Sequence, residues 1–149
     1  MLSVLQVSIT CVDIPEGCKA LTLSVLVVDD EIMLAEETAM GLELEGLTTL
    51  TASSAAEAML LLREHAEIGV MLTDIRMPRE DGTSLARRAL AERDEKTALG
   101  VIFMTGHGTD PPPPGVVACI PKPFPLGKML DLVMRTMADI QERRAKAGA

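Results

Sequence analysis

The chain has 149 residues, 48% of them hydrophobic, and a formal net charge of −8. That length suits one domain with a real core, and the composition excludes a disordered tail or a fibrous sequence. Fourteen scattered Lys and Arg in an acidic chain do not form the concentrated basic surface that nucleic-acid binding needs, so no nucleic-acid partner is expected.

No apolar run reaches the ~20 residues of a membrane span. The N-terminus lacks the early Lys or Arg of a secretory signal, so no membrane partner and a cytoplasmic location are expected. Three cysteines, Cys11, Cys18 and Cys119, match no zinc-ligand spacing and read as thiols of a reducing compartment. Aromatic residues are 1%, only Phe103 and Phe124, so the core must come from Leu, Val, Ile, Ala and ten Met.

Residues 1–22 stand apart from the rest. Gln6 to Val12 alternates polar and apolar residues, and Pro15 and Gly17 then break the pattern. The expectation is a loose N-terminal extension, with an added edge strand or a swapped arm as the alternative. A single domain then fills residues 23–149.

From Leu23 onward, short apolar runs alternate with helix-period segments, the pattern of a parallel α/β sheet. Ser24 to Val28 is apolar enough for a strand buried on both faces. A helix over Glu31–Glu45 follows, with Gly46 placed to cap it. Leu47–Thr51 reads as the second strand. Ser54 and Glu57 form a capping box that opens a helix to about Glu64. The third strand runs from Ile68 to Thr73 and ends on Asp74. After a loop with Pro78 and Gly82 comes a helix over Thr83–Arg93. Gly100–Met104 and Val116–Ile120 are the fourth and fifth strands. The last helix, Leu126 to about Arg143, carries an apolar stripe of Leu126, Met129, Leu130, Val133, Met137 and Ile140. Its basic end, Arg143, Arg144 and Lys146, reads as a solvated helix terminus favoured by the macrodipole.

Between strands four and five lies GHGTDPPPPG, Gly106 to Gly115. Four consecutive prolines cannot sit in a helix interior, and they span ~12 Å as polyproline II. Thr105 to Val116 is 12 residues, close to the minimum for a parallel crossover. A coil, or one helical turn at most, is expected there.

Charged and hydroxyl residues gather where an open parallel sheet binds ligands, beyond the carboxyl ends of its strands. Asp29 and Asp30 follow strand one, Asp74 ends strand three, Thr105 follows strand four and Lys122 follows strand five. Grouped carboxylates repel one another and call for a cation. Mg²⁺ suits them, being hard and oxygen-ligated. A carboxylate is also an accepted nucleophile for phosphoryl transfer, with a lysine and a hydroxyl to stabilise phosphoryl oxygens. Taken singly, Asp29, Asp30 and Glu31 could serve only as acids at a helix N-terminus.

Four segments, VLVVDDE (Val25–Glu31), LTDIRMPREDG (Leu72–Gly82), IFMTGHG (Ile102–Gly108) and PKPF (Pro121–Phe124), resemble the signature segments of bacterial receiver domains of two-component signalling. The match covers roughly Ser24 to Ile140. It implies a flavodoxin-like, doubly wound, five-stranded parallel sheet of order 2-1-3-4-5, with the fourth of the usual five helices absent or reduced to the Pro-rich loop. In that order the five groups fall within a cleft about 14 Å wide.

The resemblance also implies roles. Asp74 takes the place of the phosphoacceptor, and Asp29, Asp30 and Asp74 with the backbone carbonyl of Arg76 hold Mg²⁺. Thr105 resembles the switch hydroxyl and Lys122 the partner of the phosphoryl group, with a cis bond before Pro123. Arg76, Gly106 and His107 resemble positions that tune phosphoryl lifetime. The implied phosphodonor is a histidine kinase or a histidine phosphotransfer protein.

Two departures bear on output. Cys119 stands where the family usually has a Tyr or Phe that swings inward, and the proline loop stands where the family commonly signals. The chemistry is therefore expected to be kept and the readout changed. The loop Gly106–Gly115 is one candidate switch. Apolar surface on strands four and five is expected to be covered by a partner or by a second copy in a homodimer. The expectation is a free-standing receiver, not an enzyme in the usual sense, acting on an unknown downstream protein by contact or by passing its phosphoryl group on. Two rivals remain: an interaction module that is never phosphorylated, and a haloacid-dehalogenase-type phosphatase. The latter wants D-x-D after the first strand, where this chain reads Asp29-Asp30-Glu31.

Overall fold

The computed structural model describes residues 23–105 and 114–148. Five parallel strands lie in the order β2-β1-β3-β4-β5. In chain order the elements are β1 (Ser24–Val28), α1 (Ile32–Glu43), β2 (Thr48–Ala52), α2 (Ala55–Glu64), β3 (Ile68–Asp74), α3 (Gly82–Glu92), β4 (Gly100–Thr105), β5 (Val116–Pro121) and α4 (Leu126–Gly148). The chain folds as the expected doubly wound α/β sheet.

Two apolar layers sandwich the sheet because successive strand residues point to opposite faces. Val25, Val27, Val70, Leu72, Ile102 and Met104 meet α1 and α4 through Ala35, Leu42, Met129 and Val133. Leu26, Val28, Met71, Val101 and Phe103 meet α2 and α3 through Ala58, Met59, Leu85 and Ala89. Each large side chain so buried contributes about 1.5–3 kcal/mol. Double coverage explains why β1 and β3 read as unbroken apolar runs.

Local signals behave as the sequence predicts, with corrections. Gly46 caps α1 with φ +92°, and its N–H donates to the Glu43 carbonyl at 2.9 Å. Ser54 Oγ accepts the Glu57 N–H at 3.1 Å, but the return bond misses its expected target. Glu57 Oε1 accepts the N–H of Ser53 instead, at 2.7 Å, one residue earlier.

The last helix is longer than its pattern predicts, and its basic end is not simply solvated. Arg144 reaches under the sheet and donates to the carbonyls of Ala66 (2.7 Å), Ile68 (3.0 Å) and Ala98 (2.8 Å). Arg143 pairs with Glu95 at 2.8 Å, and Lys146 pairs with Glu142 one turn back at 3.2 Å. These anchors hold helical turns beyond the apolar stripe.

The two edge-side strands differ in cover: β4 is buried, whereas β5 is half-buried or exposed except at Ile120. Val101 to Met104 are buried, and among the described residues of β5 Val117 is the exposed large apolar one. The expectations for residues 1–22 and most of those for the Pro-rich loop, Gly106 and His107 included, lie outside the described residues.

Candidate functional site

β1 and β3 are paired neighbours, with Val28 opposite Thr73, so the acids that follow them emerge side by side. Asp29, Asp30 and Asp74 each offer a carboxylate oxygen, and those oxygens lie within 4.8 Å of one another. Asp29 is buried, Asp74 partly buried and Asp30 exposed. The cluster therefore has a dry floor and an open mouth.

Lys122 follows β5 and reaches across β4. Its Nζ donates to Asp29 Oδ2 at 3.0 Å and to Asp74 Oδ2 at 3.4 Å. The other oxygen of Asp29, Oδ1, accepts the N–H of Glu31 at 3.0 Å as the chain enters α1. Asp29 thus braces the turn into α1 as well as joining the cluster, although α1 itself starts at Ile32, capped by Glu31 without a side-chain bond. The bond between Lys122 and Pro123 is cis, as the resemblance implies.

One ammonium faces three carboxylates, and the titration behaviour reflects this. Burial raises the Asp74 carboxyl above its ordinary value; Lys122 opposes that effect, and the charge of Asp29 adds to it. For Lys122, burial favours the neutral amine, but the hydrogen bond to Asp29 and the charges of Asp29 and Asp74 outweigh it. The ammonium is held above its ordinary value.

The donor set fits a hard divalent cation. It consists of oxygens alone, and it carries negative charge that Lys122 leaves unbalanced. Ligand oxygens around an octahedral Mg²⁺ sit roughly 3 to 4 Å apart. The spread observed needs only a small contraction to match.

Thr105 ends β4 and pairs in register with Pro121, which brings it to the same end of the sheet. Arg76 is exposed on the loop just after Asp74. Cys119 lies on β5 opposite Phe103, half-buried against the α2–α3 layer. A groove of about 440 Å³, lined by Leu34, Thr38, Lys122 and Phe124, opens beside Asp29. Sequence patterning gives no sign of this groove, because it forms only where α1 meets the segment after β5.

This sheet order, with ionisable groups converging at its carboxyl end, defines a doubly wound α/β domain with its ligand crevice at the switch point. Residues 25–134 match the response regulator receiver domain family, and the chain belongs to it.

The C4-dicarboxylate transport transcriptional regulatory protein DctD of Rhizobium meliloti is 34% identical over 117 residues, covering 75% of this chain and 25% of that protein. A response regulator receiver protein from Pseudomonas putida is 34% identical, with 76% of this chain and 96% of that one covered and a TM-score of 0.65. A receiver domain from Clostridium thermocellum reaches a TM-score of 0.70 at 25% identity, over 78% and 95% of the two chains. The chain spans about a quarter of the length of the first curated relatives it matches. Receiver domains are signalling modules rather than enzymes in the usual sense. No helix among the described residues is long and apolar enough to cross a membrane.

Proposed function

We propose that this receiver accepts a phosphoryl group on Asp74 from a histidine kinase or a histidine phosphotransfer protein, with Mg²⁺ held by Asp29, Asp30, Asp74 and the carbonyl of Arg76. The observation that carries the proposal is the convergence of three carboxylates and one ammonium at the carboxyl end of β1, β3 and β5. When bound, the ion neutralises negative charge that otherwise repels an incoming phosphate.

An oxygen of the Asp74 carboxylate attacks phosphorus. The new O–P bond forms as the P–N bond to the donor imidazole breaks, and the imidazole leaves with that electron pair. Lys122, shared between Asp29 and Asp74 before reaction, then neutralises a phosphoryl oxygen, and the hydroxyl of Thr105 donates to another. On the same reading, Arg76, Gly106 and His107 are the residues that tune the lifetime of the group. The groove beside Asp29 admits a partner side chain to Lys122.

Output is by protein contact on a downstream target that prefers the phosphorylated form. With Cys119 in place of an aromatic, no ring can swing at that position, so the readout differs from the family's usual one. The reading assigns residues 23–149 to the receiver, residues 1–22 to an extension, and the site of action to the cytoplasm.

Incubation with Mg²⁺ and acetyl phosphate, followed by intact-mass measurement, tests the proposal. Wild type should gain one phosphoryl group and Asp74→Ala none. No gain in wild type favours the unphosphorylated interaction module.

A further inference from the structure

Asp74 is the last residue of β3, and beyond it the sheet no longer fixes the chain. Its carboxylate nevertheless has to face Asp29, Asp30 and Lys122. Two contacts to its own peptide do what the ladder no longer does. Thr73, fully buried, donates its hydroxyl to the Asp74 carbonyl at 3.0 Å. Gly82, the first residue of α3, also closes on this peptide. Its N–H donates to the Ile75 carbonyl at 2.6 Å. A Cβ placed on Gly82 would stand 2.2 Å from the Asp74 carbonyl oxygen, 3.0 Å from Ile75 Cα and 3.1 Å from the Asp74 carbonyl carbon.

All three of those atoms are backbone, so no side chain can rotate aside. Nor can α3 easily retreat. Leu85, Ala86 and Ala89 hold it in the buried layer against the sheet, and Asp81 Oδ1 caps its start by accepting the Ser84 N–H at 2.8 Å. With the helix start tied down, any side chain at position 82 must turn the peptide that carries Asp74.

We infer that Gly82 and Thr73 are positioning residues: both close on the Asp74 carbonyl and thereby aim its carboxylate into the acidic cluster. The inference rests on Asp74 being the phosphoacceptor. Gly100 supplies a matched control. A Cβ there meets Thr136 Cγ2 at 2.4 Å, a similarly short approach though to a buried side chain, at the amino end of β4, away from the cluster.

The test uses the full chain in five versions: wild type, Gly82→Ala, Gly100→Ala, Thr73→Val and Thr73→Ser, with Asp74→Ala as the blank. Phosphoryl uptake from acetyl phosphate is followed by intact mass, Mg²⁺ affinity by calorimetry and folding by thermal melting, all well below the lowest melting temperature. Gly82→Ala should slow uptake at least about tenfold, since misplacing a reacting group by an ångström can cost about a hundredfold. Gly100→Ala should stay within about twofold of wild type even where it melts as low as Gly82→Ala. Thr73→Val should slow uptake several-fold, and Thr73→Ser, which keeps the hydroxyl, should restore it.

Uptake that falls equally in Gly82→Ala and Gly100→Ala, in step with stability, overturns the inference and leaves Asp74 as acceptor. Wild-type uptake in Gly82→Ala and Thr73→Val does the same. If Gly82→Ala does not fold, the pair at Thr73 decides alone. Uptake in Asp74→Ala overturns the phosphoacceptor reading itself, and the inference with it.

Discussion

At the carboxyl end of the sheet, Asp29, Asp30 and Asp74 gather, and the ammonium of Lys122 pairs with two of them, Asp29 and Asp74. At the amino end, two guanidiniums have nothing but partners. Arg93 donates to the carbonyls of Leu62, His65, Ile68 and Thr97, and Arg144 to those of Ala66, Ile68 and Ala98. Those carbonyls include ones at the end of α2, where a helix leaves acceptors unsatisfied. Burial, with the neighbouring charge of Arg144, lowers Arg93 to about 10, which leaves it a cation at neutral pH. One end thus concentrates like charge and leaves it incompletely balanced. The other disperses cationic charge over the backbone dipoles that most need it. Charge at the carboxyl end lacks full pairing, whereas the guanidinium donors at the amino end are met by backbone carbonyls even though burial and their mutual charge still lower Arg93.

The contrast breaks first at Asp74. Asp74→Asn should abolish phosphoryl uptake while raising stability by about 1 kcal/mol in Mg²⁺-free buffer, because one repelling charge is removed. Melting and intact mass measured on the same sample check both halves. A variant that loses activity and stability together contradicts the comparison.

Next in size is Arg144→Ala. It should cost about 2 kcal/mol, or a melting temperature lower by roughly 5 °C, with phosphoryl uptake at a permissive temperature unchanged. An effect on uptake at constant stability would show that the two ends are not separable.

A smaller effect follows from pH. The folded Asp74 carboxyl sits above its ordinary value, so across the window between the two values the folded state holds the proton more tightly than the unfolded chain. The contribution of Asp74 to stability without Mg²⁺ should therefore fall as pH rises through that window, and its cost is complete above it. The gap between wild type and Asp74→Asn should close as pH drops below the ordinary carboxylate range. Melts across a pH series read this directly. Smallest of all, breaking the exposed Arg63–Glu92 pair should leave the melting temperature and uptake where they were, since surface pairs contribute little.

Legibility in the sequence divides along the same line. Strand identity was readable because burial on both faces leaves unbroken apolar runs such as Ser24–Val28. The cluster was readable because strand ends concentrate ionisable residues at predictable places, and Asp29, Asp30, Asp74 and Lys122 do meet. The order of the strands came from the likeness to receiver domains, since periodicity carries no information on which strand lies beside which.

Long-range polar anchoring was not readable. Arg144 bonds to carbonyls 46 to 78 positions away in the chain, and no local pattern distinguishes it from the exposed Arg135. Glu57 bonds one residue away from its capping-box target because Ser53 offers both an N–H and a hydroxyl. The close approach of Gly82 to Asp74 is likewise a tertiary contact, visible only once α3 is docked.

The central claim is geometric and can be seen directly in a crystal structure of the full chain with Mg²⁺ and beryllium fluoride. The account predicts the fluoride group bonded to an oxygen of Asp74, the ion against the carboxylates of Asp29, Asp30 and Asp74, and Lys122 turned toward a fluorine. A mimic bound elsewhere, or an ion that leaves Asp29 and Asp30 untouched, contradicts it.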